Sequence, residues 1–141
     1  MKMSHRAARA ALGVTAGLSI ALAGSTPTSA STWDLMGENQ ICIQQGYSHW
    51  TYFLAAVVGT WSSTVHVTVE NLPPGGVVTE SAQIPPGSNH TKPNGSTTVN
   101  GWVFAEFDPL PIGVYTAQMT ASDGTQTLSD PVTITVKERC Y

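Results

Sequence analysis

The carboxyl-terminal part of the chain is predicted to form two β-strands joined by a tight turn. Apolar residues occupy alternate positions in residues 113–123 and again in residues 131–137, with Asp123-Gly124 between them. A period of two residues is the spacing of a strand that buries one face, and an Asp-Gly pair between two such strands favours a β-hairpin. The residues predicted to face inward are Tyr115, Ala117, Met119, Ala121, Val132, Ile134 and Val136. We therefore expect an antiparallel β-structure.

Five more segments are predicted to be strands, which gives about seven in total. They are residues 33–43, 52–58, 64–71, 77–84 and 97–107. The continuous apolar run at 52–58 is typical of a central strand buried on both faces, whereas the polar residues 44–50 before it are predicted to be a loop. In residues 97–107 both faces are apolar, so the pattern leaves open which one is inside. Because proline and glycine turns separate the segments, we expect one all-β sandwich.

Residues 1–30 have the pattern of a secretory signal peptide, in which basic residues precede an apolar stretch and a small-residue cleavage site. The apolar stretch at 10–23 is shorter than the ~20 residues that span a bilayer. Cleavage is predicted after Ala30, with Ala23 as an alternative. We therefore expect a secreted, extracellular protein without a membrane anchor, formed by a single domain at residues 31–141.

The predicted mature chain is acidic. Residues 31–141 contain nine acidic and three basic side chains, which gives a formal charge of −6. The basic residues, Lys92, Lys137 and Arg139, are scattered along the sequence. Nucleic acids and anionic membranes are bound through clustered cations, so neither is expected as a partner.

The chain contains two cysteines, Cys42 near the start of the predicted domain and Cys140 near its end. In an oxidising compartment such a pair usually forms a disulfide, and two cysteines allow one connectivity. The closed loop would include nearly the whole domain, which corresponds to ~4–5 kcal/mol of stabilisation in the chain-entropy model. A pair of metal ligands or reactive thiols is the alternative, but no histidine stands at ligand spacing.

Two stretches resemble a known class of domain. PIGVYTAQMTASDGTQTLSDPVTITV resembles the closing strands of bacterial immunoglobulin-like sandwiches, and TVHVTVENLPPG resembles a middle strand and its proline turn. This resemblance implies an immunoglobulin-like antiparallel β-sandwich of about seven strands, with Tyr115 as a tyrosine-corner residue. Unlike the intersheet bridge of antibody domains, Cys42 and Cys140 belong to the first and last strands.

A second resemblance covers nearly the whole predicted domain. The motifs TWDL, GTWSS, NLPPG, IPPGSN, YTAQMTASDGT and VKERC are similar to those of a family of small secreted actinobacterial proteins of unknown function. The resemblance implies an extracellular location and a sandwich shape. It implies no activity.

No catalytic, cofactor or metal site is predicted. The sequence has no G-x-S-x-G nucleophile motif, and its histidines lack the spacing of zinc ligands. The histidines of the predicted mature chain are His49, His66 and His90. Glu106 and Asp108 lie one alternation apart and could form an acidic cluster with Asp123, as a glycosidase pair or a calcium site would require. Solvated acids at strand ends are the preferred interpretation, so we expect no enzyme.

Aromatic residues and one loop are the candidate binding features. Trp50, Trp102 and Phe104 could be packed in the core or could form an exposed contact surface. The proline-rich loop at 85–96 could present Asn89 and His90, although a plain connection is the simpler interpretation.

The predicted function is that of a monomeric, secreted, non-enzymatic protein that binds an unknown extracellular protein or glycan. One alternative is a carbohydrate-binding module that uses exposed aromatic residues. The other alternative is a small secreted hydrolase or protease inhibitor, which would need a cleft with converging polar groups or a rigid protruding loop.

Overall fold

The computed structural model describes residues 32–36, 39–90, 92–96 and 98–141, so the predicted signal peptide lies outside the described residues. The described residues form nine β-strands and no helix, and hence no helix that could cross a membrane. The strands are β1 (Thr32–Met36), β2 (Asn39–Gln44), β3 (His49–Thr60), β4 (Val65–Glu70), β5 (Gly76–Glu80), β6 (Ala82–Ile84), β7 (Gly101–Phe107), β8 (Gly113–Ser122) and β9 (Thr127–Lys137).

Two sheets pack face to face. One has four strands in the order β1-β3-β7-β5, and the other has five strands in the order β2-β9-β8-β4-β6. All paired strands run antiparallel except β2 and β9, which are parallel. This architecture confirms the predicted all-β sandwich of immunoglobulin-like type.

The core lies between the sheets and is built from alternate residues of each strand. The valines of β4 and the predicted inward residues Ala117, Met119, Ala121, Val132, Ile134 and Val136 are all buried. Tyr115 is partly buried and packs against the same cluster. Burial of a large apolar side chain contributes ~1.5–3 kcal/mol, so this alternation accounts for the face that each strand turns inward.

Two predicted strands are each divided between the sheets, which explains nine strands instead of seven. The predicted strand 33–43 forms β1 in one sheet and β2 in the other, and the predicted strand 77–84 likewise forms β5 and β6. Trp33, Leu35 and Ile43 are all buried at odd-numbered positions. Both sheets turn one face toward the core between them. A segment that passes from one sheet to the other therefore keeps its buried residues at the same alternate positions, which are odd-numbered in residues 33–43.

The prediction that residues 52–58 are buried on both faces is wrong. In β3, Phe53, Ala55 and Val57 are fully buried, whereas Tyr52 and Leu54 are 49% and 41% exposed. The strand also begins at His49, within the predicted loop 44–50. β3 lies between β1 and β7 in its sheet, but only one of its faces belongs to the core.

The turn of the β8–β9 hairpin also attaches β1. Asp123 Oδ1 accepts hydrogen bonds from the backbone N–H groups of Thr125, at 2.9 Å, and Gln126, at 2.8 Å, and Gly124 has a φ of 89°. Asp123 Oδ2 accepts a bond of 2.8 Å from the indole of Trp33, and Gln126 Nε2 donates to the carbonyl of Trp33 at 3.0 Å. The predicted turn therefore also joins the two sheets.

The predicted disulfide and the predicted tyrosine-corner hydrogen bond are both confirmed. Cys42 of β2 and Cys140, beyond β9, form a disulfide with their Cα atoms 5.7 Å apart. The hydroxyl of Tyr115 donates to the carbonyl of Pro111 at 3.0 Å, which is the hydrogen bond expected of a tyrosine corner. Both links hold the closing hairpin to neighbouring chain.

Candidate functional site

The four tryptophans divide into a buried pair and an exposed pair. Trp33 and Trp61 are 3% and 5% exposed, whereas Trp50 and Trp102 are 57% and 45% exposed. The predicted alternative of core packing is therefore wrong for Trp50 and Trp102. These two residues lie on β3 and β7, at positions that alternate with buried ones.

The register of β3 and β7 brings the exposed aromatic residues together. Tyr52 pairs with Phe104, and Leu54 pairs with Trp102. Trp50 is two residues before Tyr52 and therefore projects from the same side of the sheet. We call this surface the aromatic face and define it by Trp50, Tyr52, Leu54, Trp102 and Phe104.

Three rings of the aromatic face contact one another. Trp50 and Phe104 are stacked, with centroids 5.4 Å apart and an angle of 21° between their planes. Tyr52 lies 6.5 Å from Trp50 and 6.2 Å from Phe104, in tilted orientations. Such aromatic pairs contribute ~0.5–1.5 kcal/mol each beyond the area they bury. The rings are thus held by mutual contacts while Trp50 and Tyr52 stay exposed.

Apolar residues at both edges of the sheet extend this surface. Met36 of β1, which is 50% exposed, pairs with Ala56, and Val77 of β5, which is 61% exposed, pairs with Glu106. Exposed apolar residues therefore occur on all four strands. Several large apolar residues exposed on one side of a sheet are typical of an interaction site.

A groove of about 440 Å³ adjoins one end of the aromatic face. Its lining combines two aromatic rings, an imidazole, an aliphatic side chain and two acids: Ser48, His49, Trp50, Gly75, Val77, Glu106, Phe107 and Asp108. No side chain among the described residues bonds to the carboxylate of Glu106 or Asp108. The groove therefore presents two available carboxylates beside an exposed indole.

A second hollow of about 390 Å³ lies beside Trp102 and Phe104. One of its lining residues, Asn100, bonds to the backbone of Val57 in both directions. Its Oδ1 accepts from the N–H at 3.0 Å, and its Nδ2 donates to the carbonyl at 3.1 Å. Asn39 makes the same pair of bonds to Leu54, at 2.9 and 3.0 Å. These two amides continue the pairing of β3 where neighbouring strands end.

The predicted loop residues lie apart from the aromatic face. Asn89 is half-buried and His90 is exposed, and neither lines either of the two hollows. The loop is attached near β7 by Asn100, which donates to Ser88 Oγ at 3.4 Å, and by Thr98, whose N–H donates to the carbonyl of His90 at 3.3 Å. A binding role for Asn89 and His90 stays a prediction.

The acidic cluster considered for Glu106, Asp108 and Asp123 does not form. Glu106 pairs with Trp50, whereas Asp123 binds Trp33, which pairs with Gly59. Nine residues of β3 separate these two places, which corresponds to ~30 Å.

Within the part of the chain that is described, no three His, Cys, Asp or Glu side chains are placed to hold a metal ion. His49 and His66 lie on strands of different sheets, and His90 lies in the loop between β6 and β7. The three histidines therefore lie in different parts of the fold.

One carboxyl group, that of Asp130, has a raised pKa. Burial at the sandwich edge raises the pKa of Asp130 above its ordinary value of 3.8, and the nearby negative charge of Asp34 raises it further. Asp130 lies on β9 and Asp34 on β1, so the two acids face each other from different sheets. Their proximity opposes ionisation of Asp130.

A family model described as a family of unknown function, DUF5980, matches residues 34–138. The chain belongs to this family. A search of curated proteins gives no match for this DUF5980 protein.

A search of solved structures finds weak similarities, of which two are given. The PapD-like domain 7 of human CEP192 is 13% identical, with a TM-score of 0.38, and the match covers 92% of this chain and 99% of that domain. An engineered protein is 18% identical, with a TM-score of 0.35 and 74% of this chain covered. The match spans only 20% of the engineered protein.

Proposed function

We propose that this protein is a secreted, non-enzymatic binding protein whose aromatic face contacts an extracellular partner. The observation that carries the proposal is the exposure of Trp50 and Tyr52, at 57% and 49%, in a cluster of rings already fixed by mutual contacts. Rigid aromatic side chains lose little conformational entropy on binding and are enriched at the energetic centres of protein interfaces.

Secretion is supported by the predicted signal peptide at residues 1–30 and by the disulfide between Cys42 and Cys140. Disulfides persist in oxidising compartments and are rare in the cytosol. The formal charge of −6 in residues 31–141 disfavours nucleic acids and anionic membranes as partners. It also favours a monomer, because two copies of an acidic chain repel each other.

Site-specific photo-crosslinking tests the proposed surface. A benzophenone amino acid is placed at position 104 on the aromatic face or, as a matched control, at position 114. Val114 is 69% exposed and lies on β8 of the opposite sheet. After illumination in a culture of the producing organism, we expect a discrete adduct from position 104 and none from position 114. Equal labelling at both positions, or no adduct from either, would contradict the proposal.

A glycan partner is the second candidate, because Trp50 and Trp102 expose their indoles on adjacent strands. Sugar rings bind flat aromatic surfaces, but stacking on Phe104 at 5.4 Å covers one face of the Trp50 ring. We therefore favour a protein partner. Titration with a panel of soluble polysaccharides tests the glycan candidate, which requires a shift of intrinsic tryptophan fluorescence with at least one of them.

A further inference from the structure

We infer that the partner presents a cationic and apolar segment to this surface, with arginine or lysine next to hydrophobic side chains. This inference rests on the proposed function, because it specifies the chemistry that the aromatic face and its adjoining groove would recognise.

The sheet that carries the aromatic face has acidic side chains but no lysine or arginine, and its one histidine, His49, begins β3. Its four strands contain Asp34, Glu80 and Glu106, but neither lysine nor arginine. Glu106 is paired with Trp50 on one side and Val77 on the other, and Glu80 is paired with Phe104. Glu80 and Glu106 therefore adjoin the rings, and a complementary partner is positively charged around an apolar centre.

The groove at the end of the face is suited to a cationic side chain. Trp50 supplies an exposed ring, and Glu106 and Asp108 supply carboxylates without partners among the described residues. An arginine or lysine here could lie against the indole through a cation–π contact while its charged group binds a carboxylate. Its aliphatic stem could contact Val77, which also lines the groove.

The local backbone holds Asp108 at the groove. The N–H of Asp108 donates to the carbonyl of Gly75 at 3.0 Å. A Cβ atom at Gly75 would lie 3.0 Å from Cβ of Asp108, and Gly75 has a φ of 84°. Both observations favour glycine at this position, and its absence of a side chain leaves room for the Asp108 carboxylate beside the groove.

A second copy of the chain is a poorer occupant of the same surface. Two aromatic faces brought together would place the acids of one sheet against those of the other. The three basic residues of the predicted mature chain lie outside the four strands of this sheet, since Lys92 is in a loop and Lys137 and Arg139 are at and beyond the end of β9. Charge therefore favours a basic partner over self-association.

Peptides that differ only in charge test this inference. Three peptides of about six residues, with blocked termini, are compared. In each peptide leucine alternates with one other residue, which is arginine, glutamine or glutamate. Their length is enough to cross four strands spaced ~4.8 Å apart. Each is titrated into the disulfide-bonded, ¹⁵N-labelled protein and followed by NMR. We expect the arginine peptide to shift the amide signals of β3 and β7, with an affinity that falls as salt is added. The glutamine peptide should bind at least fivefold more weakly, and the glutamate peptide should not bind.

Variants separate the charged contribution from the aromatic one. Glu106→Gln keeps the shape of an exposed side chain and should weaken the arginine peptide about threefold without affecting the glutamine peptide. Phe104→Ala should weaken both peptides at least tenfold, because it removes a ring from the cluster. Glu138→Gln, the same charge change at an exposed residue beyond β9, should leave both affinities unchanged.

The outcomes distinguish this inference from the proposed function. Equal binding of the glutamine and arginine peptides, with no effect of Glu106→Gln, would overturn the cationic assignment and leave the face as a binding surface. Failure of all three peptides to shift signals of β3 and β7 would also overturn the inference. In that case the crosslinking experiment, which uses no peptide, still decides whether the face contacts a partner.

Discussion

At the scale of single residues, Asp123 and Asp130 show how similar carboxyl groups acquire opposite roles. Asp123 accepts hydrogen bonds from the turn on one oxygen and from the indole of Trp33 on the other. Asp130 instead lies half-buried opposite the like charge of Asp34, and its pKa is raised. Burial and a neighbouring acid both disfavour the ionised form of a carboxyl group, which is the reason for the raised pKa of Asp130.

The raised pKa of Asp130 predicts a pH-dependent effect on stability. The stabilising contribution of its neutral form is fully present below the ordinary pKa of 3.8 and is lost as pH rises through the folded-state pKa. We therefore expect Asp130→Asn to raise the urea midpoint of unfolding at about pH 7, with the gain shrinking toward about pH 3. Asp34→Asn should act in the same direction and more weakly, since it removes only the charge repulsion. A gain that is the same at both pH values would contradict this origin.

At the scale of elements, β3 is the strand around which the four-stranded sheet is organised. It pairs with β1 on one side and β7 on the other, and the side chains of Asn39 and Asn100 bond to its backbone where those strands do not. Each amide supplies one acceptor and one donor, as a neighbouring strand would. The backbone of β3 is thereby held on both sides beneath the aromatic face.

Removal of one of these amides should destabilise the sheet measurably. Asn100→Ala leaves the partly buried N–H and carbonyl of Val57 without the partners they have in the native protein. We expect a loss of ~2 kcal/mol in the free energy of unfolding, measured by denaturant titration with tryptophan fluorescence. Gln118→Ala is the control, because Gln118 is an exposed amide side chain on β8 and its loss should change stability by less than ~0.5 kcal/mol. Equal losses in the two variants would contradict the role of Asn100.

The elements also show how far the sequence predicts this fold. The alternation of Val65, Val67 and Val69, and of the closing hairpin, correctly predicts strands and their inward faces, because burial of one face imposes a period of two. The crossings from β1 to β2 and from β5 to β6 leave that period unchanged. These crossings could not be predicted from the sequence, because the buried residues of a segment fall at the same alternate positions whether the segment stays in one sheet or passes to the other.

The candidate site was only partly predictable for a related reason. The outward residues Tyr52 and Leu54 are as apolar as their buried neighbours, so the composition of β3 predicts two buried faces. The sequence indicates Trp50 and Trp102 as candidate binding residues. It does not show that they lie on neighbouring strands, because the β3–β7 register pairs residues about fifty positions apart in sequence. No local pattern specifies that register. The asparagine pairing to β3 carried no sequence signal that we recognise.

At the scale of the whole molecule, the disulfide joins two places separated by 98 residues in sequence. Such a cross-link restricts the unfolded chain over nearly the entire domain. We expect the double substitution Cys42→Ser, Cys140→Ser to lower the free energy of unfolding by ~4 kcal/mol, measured as a shift of the urea midpoint. Wild-type protein treated with a reductant should reach the same midpoint. A variant as stable as the oxidised protein would contradict this stabilising role.

The position of β9 also has a consequence for how the chain is made. This strand lies between β2 and β8, inside the five-stranded sheet, and β2 has no other partner in that sheet. A ribosome or an export channel that still holds residues 127–137 therefore withholds the strand to which β2 and β8 both pair. The five-stranded sheet cannot assemble in the order in which its strands are synthesised, and β2 must wait for a partner that follows it by more than eighty residues. If the chain is exported as proposed, we expect β2 to pair only after β9 has left the channel.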